Sequence, residues 1–343
     1  MADPFDDTLL DDEAALAGAD AALRRLAEAG ARVRREVTAA ADAGGALSRD
    51  ETPRALVVAG ADARLLRAVL EPWCPVPFVA WPGPGLPGWA GALDLVVVLA
   101  PDGGDSGTAS AVVEAVRRGC ALIVACPPHS VLAEHAQGRH TTVLPTSTDD
   151  VLAAAVVMLQ ALHLVGLGPE VNAESVATAL DDVSIECAPM RDVATNPAKG
   201  LALMLGDRVP LVWGGSVLSA RAARRVAEWM RRTSGRPALA ADAEHLLPVL
   251  TTTDAIDLFA DPYADPGEVL LRPALIVLDD GADEPAVREQ RGRLLHLSAA
   301  RDVRVHTVTA AEGAEVARYA SLLATGSYAA VYLAVGLHRR VEP

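Results

Sequence analysis

The stretch Leu95-Val96-Val97-Val98-Leu99-Ala100-Pro101-Asp102-Gly103-Gly104-Asp105-Ser106-Gly107-Thr108 decides the fold class. An apolar run empties into small residues and then into a helical pattern, the order of a buried strand, a tight loop and a helix N-terminus. Such a loop leaves backbone N–H groups bare where the helix begins, and Gly103, Gly104, Ser106 and Thr108 are residue types that suit the holding of a phosphate or a sugar oxygen there. The same loop carries Asp102 and Asp105. Two unit charges about 5 Å apart repel by roughly 3 kcal/mol at an effective dielectric near 20, so paired carboxylates oppose a dianionic phosphate. Asp105 or Ser106 can instead cap the helix that opens near Thr108, filling the anion-binding donors from within the chain. A third reading has the carboxylates receive sugar hydroxyls.

Outward from this stretch, short apolar runs alternate with helical segments. Residues 55–59, 76–80, 95–100, 121–125 and 141–144 read as strands, with helices after most of them. That alternation predicts an α/β fold with a mainly parallel sheet covered on both faces. Residues 1–50 form a helical preface, with helices over 11–17 and 20–43, apolar positions at Leu23, Leu26, Val33 and Val37, and a stop at Gly44-Gly45. The Pro/Gly-rich run from Trp81 to Gly88 reads as a surface loop, packed down by Trp81 and Trp89 or serving as a lid.

Past residue 169 the theme repeats. Val209 to Trp213 followed by Gly214-Gly215-Ser216 mirrors Ala55 to Gly60, and Ala274 to Leu278 followed by Asp279-Asp280-Gly281 mirrors Leu95 to Gly103. The expected division is an N-terminal helical segment at 1–50, a first domain at 51–168, a linker or helix at 169–195 and a second domain at 196–343.

Charge and composition exclude several classes. The net charge of −15 repels a phosphate backbone, and no basic cluster interleaved with aromatics offsets it, so no nucleic-acid partner is expected. Residues 151–168 are apolar, but Gln160 and His163 interrupt them, Asp149-Asp150 read as an N-cap, and Gly166, Gly168 and Pro169 stop the run. A buried core helix is the expectation, and no membrane partner. The acidic start Met1-Ala-Asp-Pro-Phe-Asp-Asp has no basic n-region before an apolar core, which points to the cytoplasm. Cys74, Cys120, Cys126 and Cys187 form no CxxC pair and read as reduced core thiols. His129, His135 and His140 lack metal-ligand spacing, and no G-x-G-x-x-G follows residues 55–59, so neither a metal nor a nucleotide cofactor is expected.

Two further runs carry a family resemblance. They are Asn196-Pro197-Ala198-Lys199 with Leu201-Ala202-Leu203, Val209 to Trp213, Gly214-Gly215-Ser216 and Pro237-Ala238, and then Gly326-Ser327-Tyr328-Ala329-Ala330-Val331-Tyr332-Leu333-Ala334. Through them the chain resembles the double sugar-isomerase-domain (SIS) proteins, specifically a divergent actinobacterial branch of the bifunctional phosphoglucose/phosphomannose isomerases. The resemblance implies two SIS-type, flavodoxin-like α-β-α sandwich domains with mainly parallel sheets after N-terminal helices, a homodimer, and a small-molecule sugar phosphate or sugar derivative as ligand. The candidate substrate contacts are Gly103, Gly104, Ser106, Thr108, Gly214, Gly215 and Ser216; of the family's first-loop pattern only Gly103 and Thr108 survive, and tight strand-to-helix packing could demand the same glycines of the second turn. In active relatives hydroxyl residues grip the phosphate at the places of Ala100, Asp102 and Asp105, and here those hydroxyls are gone.

Aldose–ketose isomerisation needs a carboxylate to move a proton between C1 and C2 and an acid/base to open the ring. Glu244 and His245 are the adjacent pair of suitable type near the implied place, and the alternative is a solvated helix start or loop. On an extended segment they point to opposite sides. The functional expectation is a family member that binds a sugar phosphate or derivative with little or no isomerase activity. The alternatives are an active glucose 6-phosphate/mannose 6-phosphate isomerase and a non-catalytic scaffold for a related enzyme.

Overall fold

The computed structural model describes residues 4–45, 47, 52–253 and 271–341. The chain forms two compact units, one of Ala29–Thr178 and one made of the described residues up to Glu28 and from Ala179 onward. After a 3-10 turn at Asp7–Leu10 come α1 (Glu13–Ala17), α2 (Asp20–Ala27) and α3 (Ala29–Gly45). The single helix expected over 20–43 is broken at Glu28. The break has a packing reason, since α2 lies against elements of one unit while α3 lies against elements of the other.

The first unit continues with β1 (Leu56–Ala59), α4 (Ala63–Leu70), β2 (Phe78–Trp81), β3 (Leu95–Leu99), α5 (Ser106–Arg117), β4 (Ala121–Cys126), α6 (Val131–His135), β5 (Thr141–Pro145) and α7 (Val151–Leu164). Its five strands are parallel in the order β2-β1-β3-β4-β5, the flavodoxin-like order. Val57 stands beside Val79 on one side and Val96 on the other. Central strands β1 and β3 are buried along their whole length, which is why they read as continuous apolar runs.

Arg32 and Glu36, one turn apart on α3, are buried beside the β5–α7 turn. Arg32 Nε donates to Asp150 Oδ2 (2.8 Å), and Asp150 Oδ1 accepts the Leu152 and Ala153 N–H groups at the head of α7. Glu36 accepts the N–H and hydroxyl of Ser147. Buried charge survives here because every carboxylate is matched by donors.

The second unit is reached through α8 (Ala173–Glu186) and holds α9 (Pro197–Leu205), β6 (Arg208–Gly214), α10 (Val217–Ser234), β7 (Leu239–Ala240), α11 (Ala243–Thr251), β8 (Arg272–Asp279), α12 (Pro285–Ala300), β9 (Arg304–Thr309) and α13 (Glu315–Gly336). Its parallel strands run β7-β6-β8-β9, so the first four positions repeat the first sheet and the fifth strand is missing among the described residues. The chain passes from β9 directly into α13.

Helices α7 and α13 spend their apolar surface inside the fold. Most of α7 is buried. Among the described residues only α13 is long and apolar enough to cross a membrane, and 94% of its apolar window is buried within the protein. Its hydroxyls are satisfied locally, Thr325 Oγ1 by Ser321 O (3.0 Å) and Ser327 Oγ by Leu323 O (2.8 Å). Lys199, the only lysine, is fully buried on α9. Its ammonium donates to Asp11 Oδ1, Pro189 O and Arg191 O, each at 2.8 Å, and lies 5.6 Å from the centre of the Tyr332 ring on α13.

Two predictions follow from these buried charges. Lys199→Met should lower the unfolding free energy by about 3 kcal/mol, because the Asp11 carboxylate and two half-buried carbonyls lose their donor; chemical denaturation with an unchanged midpoint would contradict this. In the first unit, buried Asp94 accepts from Arg54 (2.6 and 2.9 Å) and from the Gly91 N–H (2.9 Å). Burial raises its pKa, but the bonds from Arg54 and Gly91 outweigh it and leave the carboxyl below the usual range. The stability it contributes is therefore present above the ordinary carboxylate pKa and lost as pH falls through its lowered one. Asp94→Asn should cost about 2 kcal/mol at neutral pH and lessen the acid sensitivity of folding; stability curves against pH read both.

Candidate functional site

In the first sheet the strand order reverses between β1 and β3, and the crevice at the carboxyl ends of such strands is where doubly wound sheets take ligands. Two turns meet there. Thr108 Oγ1, in the first turn of α5, lies 3.1 Å from the point that a Cβ on Gly60 would occupy. Asp105 is the N-cap of α5, and its Oδ1 accepts the Thr108 N–H (2.7 Å). Bonds from the Thr108 amide, the Thr108 hydroxyl and the Gly107 amide keep its carboxyl below the usual pKa range. Gly104 N–H donates to Asp102 Oδ1 (2.9 Å), and Gly103 N–H to Ala100 O (3.0 Å). With φ of 96° and 75°, Gly103 and Gly104 hold left-handed conformations that favour glycine. The capping reading of Asp105 is thus the geometry found, while Ser106 is exposed at the first position of the helix.

The Pro/Gly-rich loop between β2 and β3 lies along α5. Leu86 N–H donates to Glu114 Oε2 (2.9 Å), and Arg118 Nη1 donates to Pro87 O (2.7 Å). Trp81, at the end of β2, donates its indole N–H to Pro84 O (3.3 Å) and keeps 36% of its surface exposed. Its carbonyl accepts the Gly60 N–H (3.1 Å), which ties it to the same crevice.

The second sheet repeats the arrangement with other groups. Ser216 caps α10 in a reciprocal box with Ser219, each amide donating to the other's hydroxyl (3.0 and 2.9 Å). The Ser216 hydroxyl also donates to Asp280 Oδ2, in the turn after β8. Asp280 Oδ1 accepts the Ala282 N–H (3.3 Å), just as Asp102 accepts that of Gly104, so the sequence repeat is also a repeat of turn geometry. Arg291 grips Asp279 with two bonds (2.9 and 3.1 Å), and Arg318 donates to the Asp280 carbonyl (2.6 Å). Packing accounts for both glycines. A Cβ on Gly214 would stand 2.2 Å from the Ser219 carbonyl carbon, and one on Gly215 2.3 Å from Val287 Cγ1.

Glu244 and His245 lie in the first turn of α11, not on an extended segment. Adjacent helical residues diverge by about 100°, so the two side chains leave the helix on different faces. Glu244 Oε1 accepts from Arg293 Nη1 (2.8 Å) in an exposed ion pair, and His245 is exposed. Of the residues singled out from the sequence, Gly103, Gly104, Ser106 and Thr108 share one turn, Gly214, Gly215 and Ser216 share another, and Glu244 and His245 start a separate helix. Sequence reasoning gave Asp280 and Arg318 no site role, although the mirrored Asp279-Asp280-Gly281 run signalled the first. His129, His135 and His140 are exposed. Burial pushes the Cys120 and Cys126 thiols up and that of Cys187 up to about 12, which leaves them protonated and inert.

Residues 194–341 match the family described as the bacterial phospho-glucose isomerase C-terminal SIS domain. The likeness to the SIS-domain sugar isomerases rests, in sequence, on this domain. Among solved structures it is similar to the C-terminal domain of glucosamine-fructose-6-phosphate aminotransferase from Francisella tularensis, with TM-score 0.65, 13% identity and coverage of 94% of this chain and 97% of that one. It is also similar to tagatose-6-phosphate ketose/aldose isomerase from Escherichia coli, with TM-score 0.60, 14% identity and coverage of 92% and 91%. A third is a glucose-6-phosphate isomerase from Chlamydia trachomatis, with TM-score 0.60, 11% identity and coverage of 94% and 71%. At these identities the likeness is one of fold. Comparison with curated protein sequences gives no match.

The glycine geometry yields a contrast that mutation can read. Gly214→Ala drives a Cβ into backbone and should cost about 3 kcal/mol, whereas Gly103→Ala meets open space and bears only the strain of its positive φ, about 1 kcal/mol. Thermal melts of the two variants that coincide would contradict the packing role of Gly214.

Proposed function

We propose that the protein binds a sugar phosphate or another sugar derivative in carbohydrate metabolism and has little or no hexose-6-phosphate isomerase activity. Two SIS domains at 51–168 and 196–343, preceded by the helices of 1–50 and joined through 169–195, are the frame of this reading. The observation that carries it is the Asp105 carboxylate on the Thr108 amide, which takes one of the anion donors of α5 from within the chain and sets a negative charge beside the others. The positions that carry hydroxyl anchors in the resembled family are Ala100, Asp102 and Asp105 here, and each lost bond to a charged group removes about 1.5 to 3 kcal/mol. Glu244 and His245 support the same reading, since the carboxylate is engaged by Arg293 and the two side chains diverge. A homodimer belongs to the proposal on the resemblance alone, because the apolar faces of α7 and α13 are already consumed within the fold.

A coupled assay with glucose 6-phosphate, fructose 6-phosphate and mannose 6-phosphate tests this. We expect turnover at least about a thousandfold below the ordinary enzyme scale of roughly 10 per second. Turnover near that scale, abolished by Glu244→Ala or His245→Ala, would refute the reading and restore an active isomerase.

A further inference from the structure

We propose that the open edge of β9 pairs with β9 of a second copy of the chain, antiparallel across a two-fold axis at Thr307, joining their β7-β6-β8-β9 sheets into one. The inference rests on the homodimer of the reading above and names the surface that forms it.

Backbone groups along β9 are left unpaired. The Ala310 N–H donates to Asp279 O at the end of β8 (2.8 Å), which fixes the direction of every second residue of the strand. His306 and Val308 therefore turn their N–H and C=O groups toward β8, while Val305, Thr307 and Thr309 turn theirs outward. β9 ends its sheet, and among the described residues nothing bonds to those outward groups. All three residues are exposed. In the first sheet the equivalent strand, β4, has β5 on this side.

This edge also lacks the devices that blunt the others. β7 is two residues long, β2 lies between Pro77 and Pro82, and β5 contains Pro145 and is packed by α3. β9 has six residues, neither proline nor glycine among them, and Val305, Thr307, Val308 and Thr309 are β-branched. An edge of that kind is a template for another strand. Pairing two identical edges across a two-fold axis uses both and closes at a dimer instead of growing into a fibre.

Reversed, the strand is complementary to itself. With Thr307 on the axis, Val305 stands opposite Thr309 of the second copy, so every outward residue exchanges both its N–H and its C=O bond. Moving the axis to His306 leaves Thr309 with no partner inside the strand. The Thr307 register also sets the start of one strand, with Arg301, Asp302 and Arg304, beside the end of the other, with Glu312 and Glu315. A net positive end thus meets a net negative end, once on each side of the axis. Arg304 and Glu312 are exposed, and among the described residues neither makes an ion pair, so both are available for this contact.

Light scattering and sedimentation equilibrium on the full chain test the inference, with circular dichroism establishing that each variant is folded. We expect a particle of twice the 35.6 kDa chain mass. Thr307→Pro removes an outward N–H that no bond inside the chain uses, so it should leave the fold intact and weaken the dimer about a hundredfold. Arg304→Glu or Glu312→Arg alone should weaken it about tenfold, and the two together should restore it. That restoration reads the pairing even where Thr307→Pro fails to fold. A dimer that Arg304→Glu or a folded Thr307→Pro leaves unmoved, or that the double exchange does not restore, overturns this inference while the homodimer stands. A folded wild type that stays at the mass of one chain at high micromolar concentration overturns both, and leaves the sugar-binding reading to its own assay.

Discussion

The second unit is organised around one buried ammonium. Lys199 has three donors, and the fold supplies three acceptors: the Asp11 carboxylate and the carbonyls of Pro189 and Arg191. A charge taken fully out of water is tolerated only when its hydrogen bonds are complete, so the three segments that carry these acceptors have to converge. The N-terminal turn is thereby fixed against α9, and the loop after α8 is fixed beside Tyr332, whose hydroxyl donates to Cys187 O (2.5 Å). Phe5 completes the attachment. Its ring lies where a Cβ on either Gly206 or Gly336 would have to stand, so those two positions must remain bare.

Bare positions also determine how the strands meet their helices. At Gly214 the backbone of β6 touches the backbone of α10 around Ser219, and at Gly326 a Cβ on α13 would come within 2.3 Å of Val226 on α10. α10 is thus held close on both sides by missing side chains. This closeness places Ser216 within bonding reach of Asp280 across the crevice between β6 and β8. The glycines of a turn that resembles a ligand loop consequently have a complete structural explanation, and ligand chemistry has to be argued from polar groups instead.

Much of the architecture was legible because buried parallel strands are apolar on both faces and therefore stand out as runs, as 95–99 and 121–126 do. The edge strands of the second sheet lack that signature. β7 is only Leu239–Ala240, and β9 buries Val308 alone among Arg304, His306 and two threonines, so neither has a distinctive pattern. The break at Glu28 was hidden for another reason: apolar spacing continues across it, while the surfaces that α2 and α3 bury belong to different units. Buried charges were the least legible feature. Arg32 and Glu36 sit at ordinary helical spacing, and only tertiary partners more than a hundred residues away show that they are interior.

At the candidate site the chain itself announced the conflict between scaffold and chemistry. A helix N-terminus attracts an anion, and Asp105 supplies one covalently, at an effective concentration no free ligand can match. The second sheet reaches a related result by another route, with Asp280 reaching across from the neighbouring turn to the cap residue of α10. At both turns a carboxylate of the chain itself takes up a hydrogen-bond donor, the Thr108 N–H in the first sheet and the Ser216 hydroxyl in the second.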